Sequence, residues 1–397
     1  MKKKILFIMP SMFIGGAERS LLGLLEAIDY HQYDVSLFLY RHEGEFLPYI
    51  PRQVLILPPL EEYGTFDVPI RSLLFSRKWK FGLARLVSKI ALKIHCFLSG
   101  EKSGVWMSMQ YTARYLLPLL PEIPGEYDLA AMFLGIADPL IHKVKAQKKV
   151  TWCHTDYDML HPASALDQKT YASVDHIIFV SNACRDKTVR LYPDLKSKTK
   201  IIENILGKKL LLEQAGDTID DLQTIQDCFV LLSIGRFSDA KNFDNIPDIC
   251  KRLLKTGLPV KWYLIGYGSG EALIRQKISE AHMEEHVIIL GKKENPYPYI
   301  KACNLYVQPS RYEGKCVTVR EAQILGKPVV ITRYATALSQ LEDGVDGMIV
   351  PMDNAGCANG IAVLLRDPDR MEQLSQTCRQ RDYSNCQEVE KLYQLME

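Results

Sequence analysis

At 397 residues, 47% of them apolar and 24% charged, the chain is a soluble globular protein too long for one ordinary core. Two domains of roughly 200 residues each follow. A net charge of +2 gives no reason to expect a nucleic-acid partner, and ten cysteines without a single C-x-x-C exclude a zinc ribbon or a disulfide framework. They fit reduced thiols in a cytosolic compartment.

Met1-Lys-Lys-Lys leads into a short apolar run, Ile5 to Met9, before Pro10. The run is too short for an export signal, and no later stretch reaches the roughly 20 apolar residues that span a bilayer. Work at a membrane is therefore expected only from its surface. Lys4 to Met9 reads as a buried strand and Ala17 to Ile28 as a helix. Between them "MFIGGAERS" places Gly15 and Gly16, which suit either a tight turn or a backbone approaching a phosphate or sugar. The pattern is not G-x-G-x-x-G, and the next predicted strand, Asp34 to Tyr40, runs on into "RHE" without a clear ribose-binding acid. A nicotinamide site is disfavoured.

Further strands are predicted at Val54 to Leu57, Leu129 to Leu134, Lys149 to Cys153 and Ile177 to Ser181. Residues 71–120 hold nine Lys or Arg against the single acid Glu101. Within them "RKWKFGLARLVSKIALKIHCFL" has Leu83, Leu86, Val87, Ile90 and Ile94 at helical spacing with basic residues between. Such a helix suits an anionic bilayer surface or a core with a solvated basic face. His154, in "TWCHTDY", ends a strand, as a structural histidine or a site residue. Asp156 and Asp158 match the short D-x-D pattern of cation-dependent sugar transferases, a pattern that chance also supplies.

Around residues 193–228 the pattern loosens, and the domain junction is placed near 205. That gives an N-terminal domain of 1–205 and a C-terminal domain of 206–397, with a last helix at about 383–396 that packs back on the first. Strands are predicted at Phe229 to Gly235, Val260 to Ile265, Val287 to Leu290, Leu305 to Gln308, Val329 to Thr332 and Met348 to Val350. Strands alternating with helices predict two doubly wound parallel sheets whose carboxyl ends face a shared cleft. In "SIGRFSDAKNFD" a strand ends at Gly235, and Arg236 and Lys241 stand on the loop that follows. Two cations beside a helix N-terminus make a diphosphate clamp without a metal, or else are solvated loop charges. "IGYGSG" (265–270) reads as a structural turn. "HMEEH" (282–286) matches a zinc-peptidase pattern, but the strand that starts at Val287 keeps His286 off the helix face of His282.

"RYEGKCVTVREAQILGKPVV" (311–330) sets Glu313 and Glu321 with seven residues between them. Were the interval helical, the two ends would lie roughly 12 Å apart, too far for paired acid–base work and suited to one long ligand.

The E-x7-E element, with "QPSRYEG" before it, "EAQILGKPVV" after it, and "GGAER", "GR…K" and the strand-end histidine in order, resembles glycosyltransferase family 4. These are retaining enzymes of the GT-B fold, two Rossmann-like domains facing across a cleft. "WCHTDY" and "EGKCVTVREAQ" resemble the subset that builds bacterial capsule and exopolysaccharide repeat units. The resemblance implies that Glu313 holds donor-sugar hydroxyls and Glu321 the nucleotide ribose. The diphosphate would lie on N–H groups near Lys315, Cys316 and Val317, against Arg236 and Lys241. His154 would sit near the anomeric centre, with Gly15 and Gly16 closing over the donor. The implied catalytic set is His154, Glu313, Arg236 and Lys241, with no cofactor and no metal. The implied donor is a nucleotide-diphosphate sugar, UDP-linked ahead of GDP-linked, its base held near Lys292 to Tyr297 mostly through backbone, so that uridine and guanosine are not told apart. The implied acceptor is a polyprenyl-diphosphate-linked saccharide at the cytoplasmic face of the plasma membrane. Lys315 and Cys316 replace the aromatic residue and glycine that many members carry. A nucleotide-sugar 2-epimerase on the same fold is the alternative.

Overall fold

A computed structural model describes residues 2–101, 103–154, 164–222, 228–313 and 316–397. It divides into two compact units, Met1–Gly207 with Asn385–Glu397, and Lys208–Ser384.

The first unit holds a parallel sheet of β1 (Lys3–Met9), β2 (Tyr33–Leu39), β3 (Leu55–Ile56), β4 (Glu126–Met132), β5 (Lys145–Cys153), β6 (His176–Phe179) and β7 (Thr199–Ile201). Their order is β3-β2-β1-β4-β5-β6-β7. Ile5 to Met9 are fully buried, which is why β1 reads as an unbroken apolar run rather than an alternating one. The order reverses between β1 and β4, and such a switch point opens a crevice at the strands' carboxyl ends. The sequence did not announce β7, because three residues on a sheet edge carry too little periodicity. The helices are α1 (Gly16–Ala27), α2 (Ile70–Leu74), α3 (Trp79–Ser99), α4 (Val105–Leu116), α5 (Asp138–Lys143), α6 (Ser164–Ala172) and α7 (Asn182–Leu191). The C-terminal helix Val389–Gln394 belongs to this unit. Tyr393 stacks on Tyr33 at 4.1 Å between ring centroids, and its hydroxyl accepts from the Asp29 N–H at 2.9 Å.

Helix α3 packs with its less apolar side inward. Gly82, Ser88 and Leu92 are buried, and Arg85 points in to donate to the carbonyls of Thr65 and Val68. A Cβ on Gly82 would meet the Leu74 backbone nitrogen at 2.9 Å, so α2 and α3 touch through the missing side chain. The stripe Leu83, Leu86, Val87, Ile90, Ile94 and Phe97 is consequently exposed.

The second unit holds β8 (Phe229–Ile234), β9 (Val260–Ile265), β10 (Val287–Gly291), β11 (Leu305–Gln308), β12 (Val329–Thr332) and β13 (Met348–Val350). All pair in parallel in the order β10-β9-β8-β11-β12-β13, with the switch between β8 and β11. Around the sheet lie α8 (Lys208–Gln214), α9 (Ile246–Lys255), α10 (Glu271–Ala281), α11 (Tyr297–Ala302), α12 (Val317–Ile324), α13 (Ala337–Gln340), α14 (Asn354–Leu365) and α15 (Pro368–Gln380). Trp262 fills the core, its Nε1 donating to Ser233 Oγ at 2.9 Å, so that its one polar atom is satisfied.

The "IGYGSG" segment is a structural turn. Gly266 (φ +150°) lies against the loop after β8, and an added Cβ would meet the Gly235 carbonyl oxygen at 1.9 Å. Gly266→Ala is expected to destabilise this unit by about 1–3 kcal/mol through clash and strain, read as a lowered urea midpoint.

Candidate active site

The switch point of the second sheet gathers the loop after β8 and the loop after β11. Arg311 ties them together, its guanidinium donating to both carboxylate oxygens of Asp244 at 3.0 and 2.7 Å and its N–H to the Ala240 carbonyl at 2.8 Å. Asn242 adopts the left-handed conformation (φ 61°), which a short polar residue tolerates, and its Nδ2 donates to the Pro309 carbonyl at 2.8 Å. These restraints fix Lys241. Its Nζ donates to Glu313 Oε1 at 2.6 Å, in a pair whose side chains are only 19% and 11% exposed. Ser310 Oγ donates to the same oxygen at 2.6 Å, and Gln308 Nε2 donates to Ser310 at 2.9 Å. Burial works to lower the Lys241 pKa, but Cys316 and Glu313 outweigh it, and the ammonium is held above its usual value.

Behind Glu313 lies α12. Only Glu321 is helical, for Glu313 stands on the loop before the helix, so the 12 Å expected from an unbroken helix does not apply. Cys316 caps the N-terminus and Val317 opens the helix. Gln340 clamps this cap, accepting from the Cys316 N–H at 2.7 Å and donating to its carbonyl at 3.2 Å. At the other end Gly326 (φ +69°) donates to the Gln323 carbonyl and Lys327 to the Ala322 carbonyl, the Schellman pattern written into "ILGKP". Glu321 is buried, and its Oε1 accepts from the Tyr297 hydroxyl at 3.0 Å. A buried carboxylate needs a functional or structural reason, because its desolvation is costly.

Arg236 is exposed on the loop after β8, in the same unit as Lys241 and Glu313. Lys315 lies outside the described residues, as do Asp156 and Asp158. His282 ends α10 in the left-handed conformation while His286 precedes β10 with Nδ1 on the Val260 carbonyl at 3.0 Å, so the two share no helix face. The sequence reading gave Ser310 and Gln308 no role of their own, missed Gln340, and set Tyr297 only at the edge of the span expected to hold the base, whereas its hydroxyl donates to Glu321. The polar alternation Gln308-Pro-Ser310 at a strand end was the one signal that could have shown the first two.

In the first unit His154 follows β5. Its Nε2 sits 3.0 Å from the Phe133 carbonyl, which can only accept, so Nε2 carries the hydrogen and Nδ1 the lone pair. Burial lowers its pKa to about 4, so the ring is neutral at physiological pH. Gly15 precedes α1 in extended backbone, and Gly16 opens the helix. A Cβ on Gly15 would meet a Glu18 carboxylate oxygen at 2.2 Å. A cavity of about 520 Å³ lies at the carboxyl ends of β1, β2 and β4, lined by Tyr40, Phe66, Arg85, Val105, Met109 and Ile136 among others.

Residues 217–381, inside the second unit, match the family described as Glycosyl transferases group 1. A Campylobacter jejuni N-acetylgalactosamine-N,N'-diacetylbacillosaminyl-diphospho-undecaprenol 4-alpha-N-acetylgalactosaminyltransferase is 28% identical over 50% of this chain and 52% of its own. The Erwinia amylovora amylovoran biosynthesis glycosyltransferase AmsK is 28% identical over 34% of this chain and 35% of its own. The chain thus spans between about a third and a half of the length of these curated relatives. Among solved structures, Anabaena Alr3699/HepE in complex with UDP and glucose superposes with a TM-score of 0.61 at 19% identity, over 99% of this chain and 100% of that one. Staphylococcus aureus TarM superposes with a TM-score of 0.62 at 13% identity, over 100% and 99%. The chain has the GT-B fold, and the residues that match the glycosyl transferases group 1 model lie within its second unit.

Proposed function

We propose that the chain is a retaining, metal-independent glycosyltransferase of the family 4 type, moving a sugar from a UDP-linked donor to a lipid-linked saccharide in cell-surface polysaccharide synthesis. The observation that carries this reading is the part-buried Lys241–Glu313–Ser310 cluster at the switch point, directly before the helix that buries Glu321. Glu321 then takes the ribose, the N–H groups at the start of α12 with Arg236 and Lys241 take the diphosphate, and Glu313 takes donor-sugar hydroxyls. In the first unit, the roles that the resemblance assigns to His154, Gly15 and Gly16 are kept as part of the proposal.

The acceptor hydroxyl attacks the anomeric carbon on the face from which the diphosphate leaves. The new C–O bond forms as the bond to the phosphate oxygen breaks, and the hydroxyl proton passes to that oxygen. Arg236 and Lys241 stabilise the charge that grows on the leaving diphosphate. The relatives named above are glycosyltransferases, which weighs against the epimerase reading.

A thermal-shift panel of nucleotide sugars tests the donor, since a ligand bound only by the folded state raises the melting temperature. Release of UDP from the best donor on adding octyl glycosides, and only then, tests transfer. Absence of any shift across the panel would remove the reading. Transfer is further expected to persist in excess chelator, because Arg236 and Lys241 supply the cations a metal would bring. Loss with chelator and recovery with manganese would turn attention to Asp156 and Asp158.

The site of action is proposed to be an anionic membrane surface on the cytoplasmic side, with α3 as the contact. No helix among the described residues is long and apolar enough to cross a membrane. The exposed stripe of α3, flanked by Lys80, Lys89 and Lys93, supports surface binding.

A further inference from the structure

We propose that Asp167 is a further substrate-binding residue, its carboxyl receiving one sugar hydroxyl in the small cavity that it shares with His154. The proposal rests on the glycosyl-transfer reading above. Asp167, on α6, is 2% exposed. Its Oδ1 accepts from Gln110 Nε2 and from Trp106 Nε1, both on α4, the latter at 3.3 Å. Its Oδ2 is buried and has no hydrogen-bond partner among the described residues. Leaving such an atom unmatched costs about 1–3 kcal/mol, which an occupant of the cavity would offset.

The cavity lies just past β4 and β5, lined by Asp167, His154, Thr151, Trp152, Thr170 and Ala137 among others, and encloses about 40 Å³. That is room for roughly one to three water-sized groups, so a hydroxyl or hydroxymethyl arm fits and a sugar ring does not. The chemistry of the two walls selects the same group. Burial pushes the Asp167 carboxyl up to about 7, with nearby Asp138 adding to the rise and the Trp106 and Gln110 bonds and the Tyr192 hydroxyl opposing it. Below neutral pH it is therefore an O–H donor. His154 is neutral and offers a lone pair. A hydroxyl both accepts and donates, and so complements an acid and a neutral imidazole together. The other titratable groups facing Asp167 or its cavity are Cys153, Tyr171 and Tyr192, the last with its hydroxyl turned toward the carboxyl.

The test compares Asp167→Asn, which preserves shape, with Ala137→Val, which narrows the cavity without changing a hydrogen-bonding group. With the donor found by thermal shift and an octyl glycoside as acceptor, each variant is expected to raise the KM of one substrate tenfold or more. The other substrate should stay within about twofold. A rise for the glycoside assigns the hydroxyl to the acceptor, and a rise for the nucleotide sugar assigns it to the donor. The wild-type kcat/KM profile should show a limb near pH 7 that Asp167→Asn lacks. The stability profile should change as well. A carboxyl raised on folding binds more protons in the folded state, so wild-type stability falls as pH rises from about 4 to about 7, and Asp167→Asn removes that fall. Wild-type constants and an unchanged kcat/KM profile in both folded variants would mean that the cavity holds only water and that Asp167 merely ties α4 to α6. That result overturns the proposal. Should Asp167→Asn fail to fold, Ala137→Val alone decides. Failure of the wild type to bind any nucleotide sugar is a separate result, and it removes the glycosyl-transfer reading itself.

Discussion

Arg236→Ala and Lys241→Ala are each expected to lower turnover by well over tenfold, on the order of 10²-fold, because each removes a charge-assisted contact to a diphosphate that gains charge as it leaves. Their effects on stability should differ. Arg236 is exposed, so its loss leaves the melting temperature nearly unchanged. Lys241 is part-buried against Glu313, and its removal leaves a carboxylate held only by neutral donors, at a cost of about 1–3 kcal/mol. The ion pair also means that Lys241 is already neutralised before any ligand arrives, so a bound diphosphate shares it with Glu313. Glu313→Gln, which frees the lysine while keeping the side chain's shape, should therefore bind UDP at least as well as wild type and still lose turnover. Near-normal turnover in both the Arg236 and Lys241 variants would remove the clamp from the mechanism.

The wild-type protein should float with anionic vesicles at low salt, while a variant carrying Lys80→Glu, Lys89→Glu and Lys93→Glu should not. Each cation near such a surface contributes about 1 kcal/mol, and the effect fades within a Debye length of roughly 10 Å at moderate salt. Two other basic residues of this segment, Arg85 and Lys78, are left in place. Arg85 turns inward onto the carbonyls of Thr65 and Val68, so reversing it would damage the fold and not only the surface, and Lys78 is already paired with the exposed Glu61 at 2.9 Å, so it offers less free charge to a membrane. A second variant, with Ile90, Ile94 and Phe97 changed to serine, removes side chains that are 51, 54 and 87% exposed and should weaken binding at every salt concentration. Nucleotide-sugar affinity should survive both changes, because these residues lie in the first unit and the donor cluster in the second. Equal flotation of wild type and both variants would make α3 an ordinary solvated helix.

Each predicted strand is present, since a parallel sheet buried on both faces demands runs such as Ile5 to Met9 and Val329 to Ile331, and such runs are visible without coordinates. The stop of α12 is just as local, because Gly326 and Lys327 close the helix with hydrogen bonds to residues three to five positions back. Glu313 and Glu321 stood out by chemistry alone, as two carboxylates in a mostly apolar segment. What the sequence by itself determined, then, was the element order and the residues with unusual chemistry, both of which depend on neighbours in the chain. Only the tertiary structure decided that Lys241 meets Glu313, 72 positions away, that Gln340 clamps Cys316, and that Asp167 shares a cavity with His154. It also decided which way α3 faces. Periodicity shows that a helix has an apolar stripe, but the side that packs is chosen by its neighbours, and here the close approach of α2 at Gly82 turns that stripe outward.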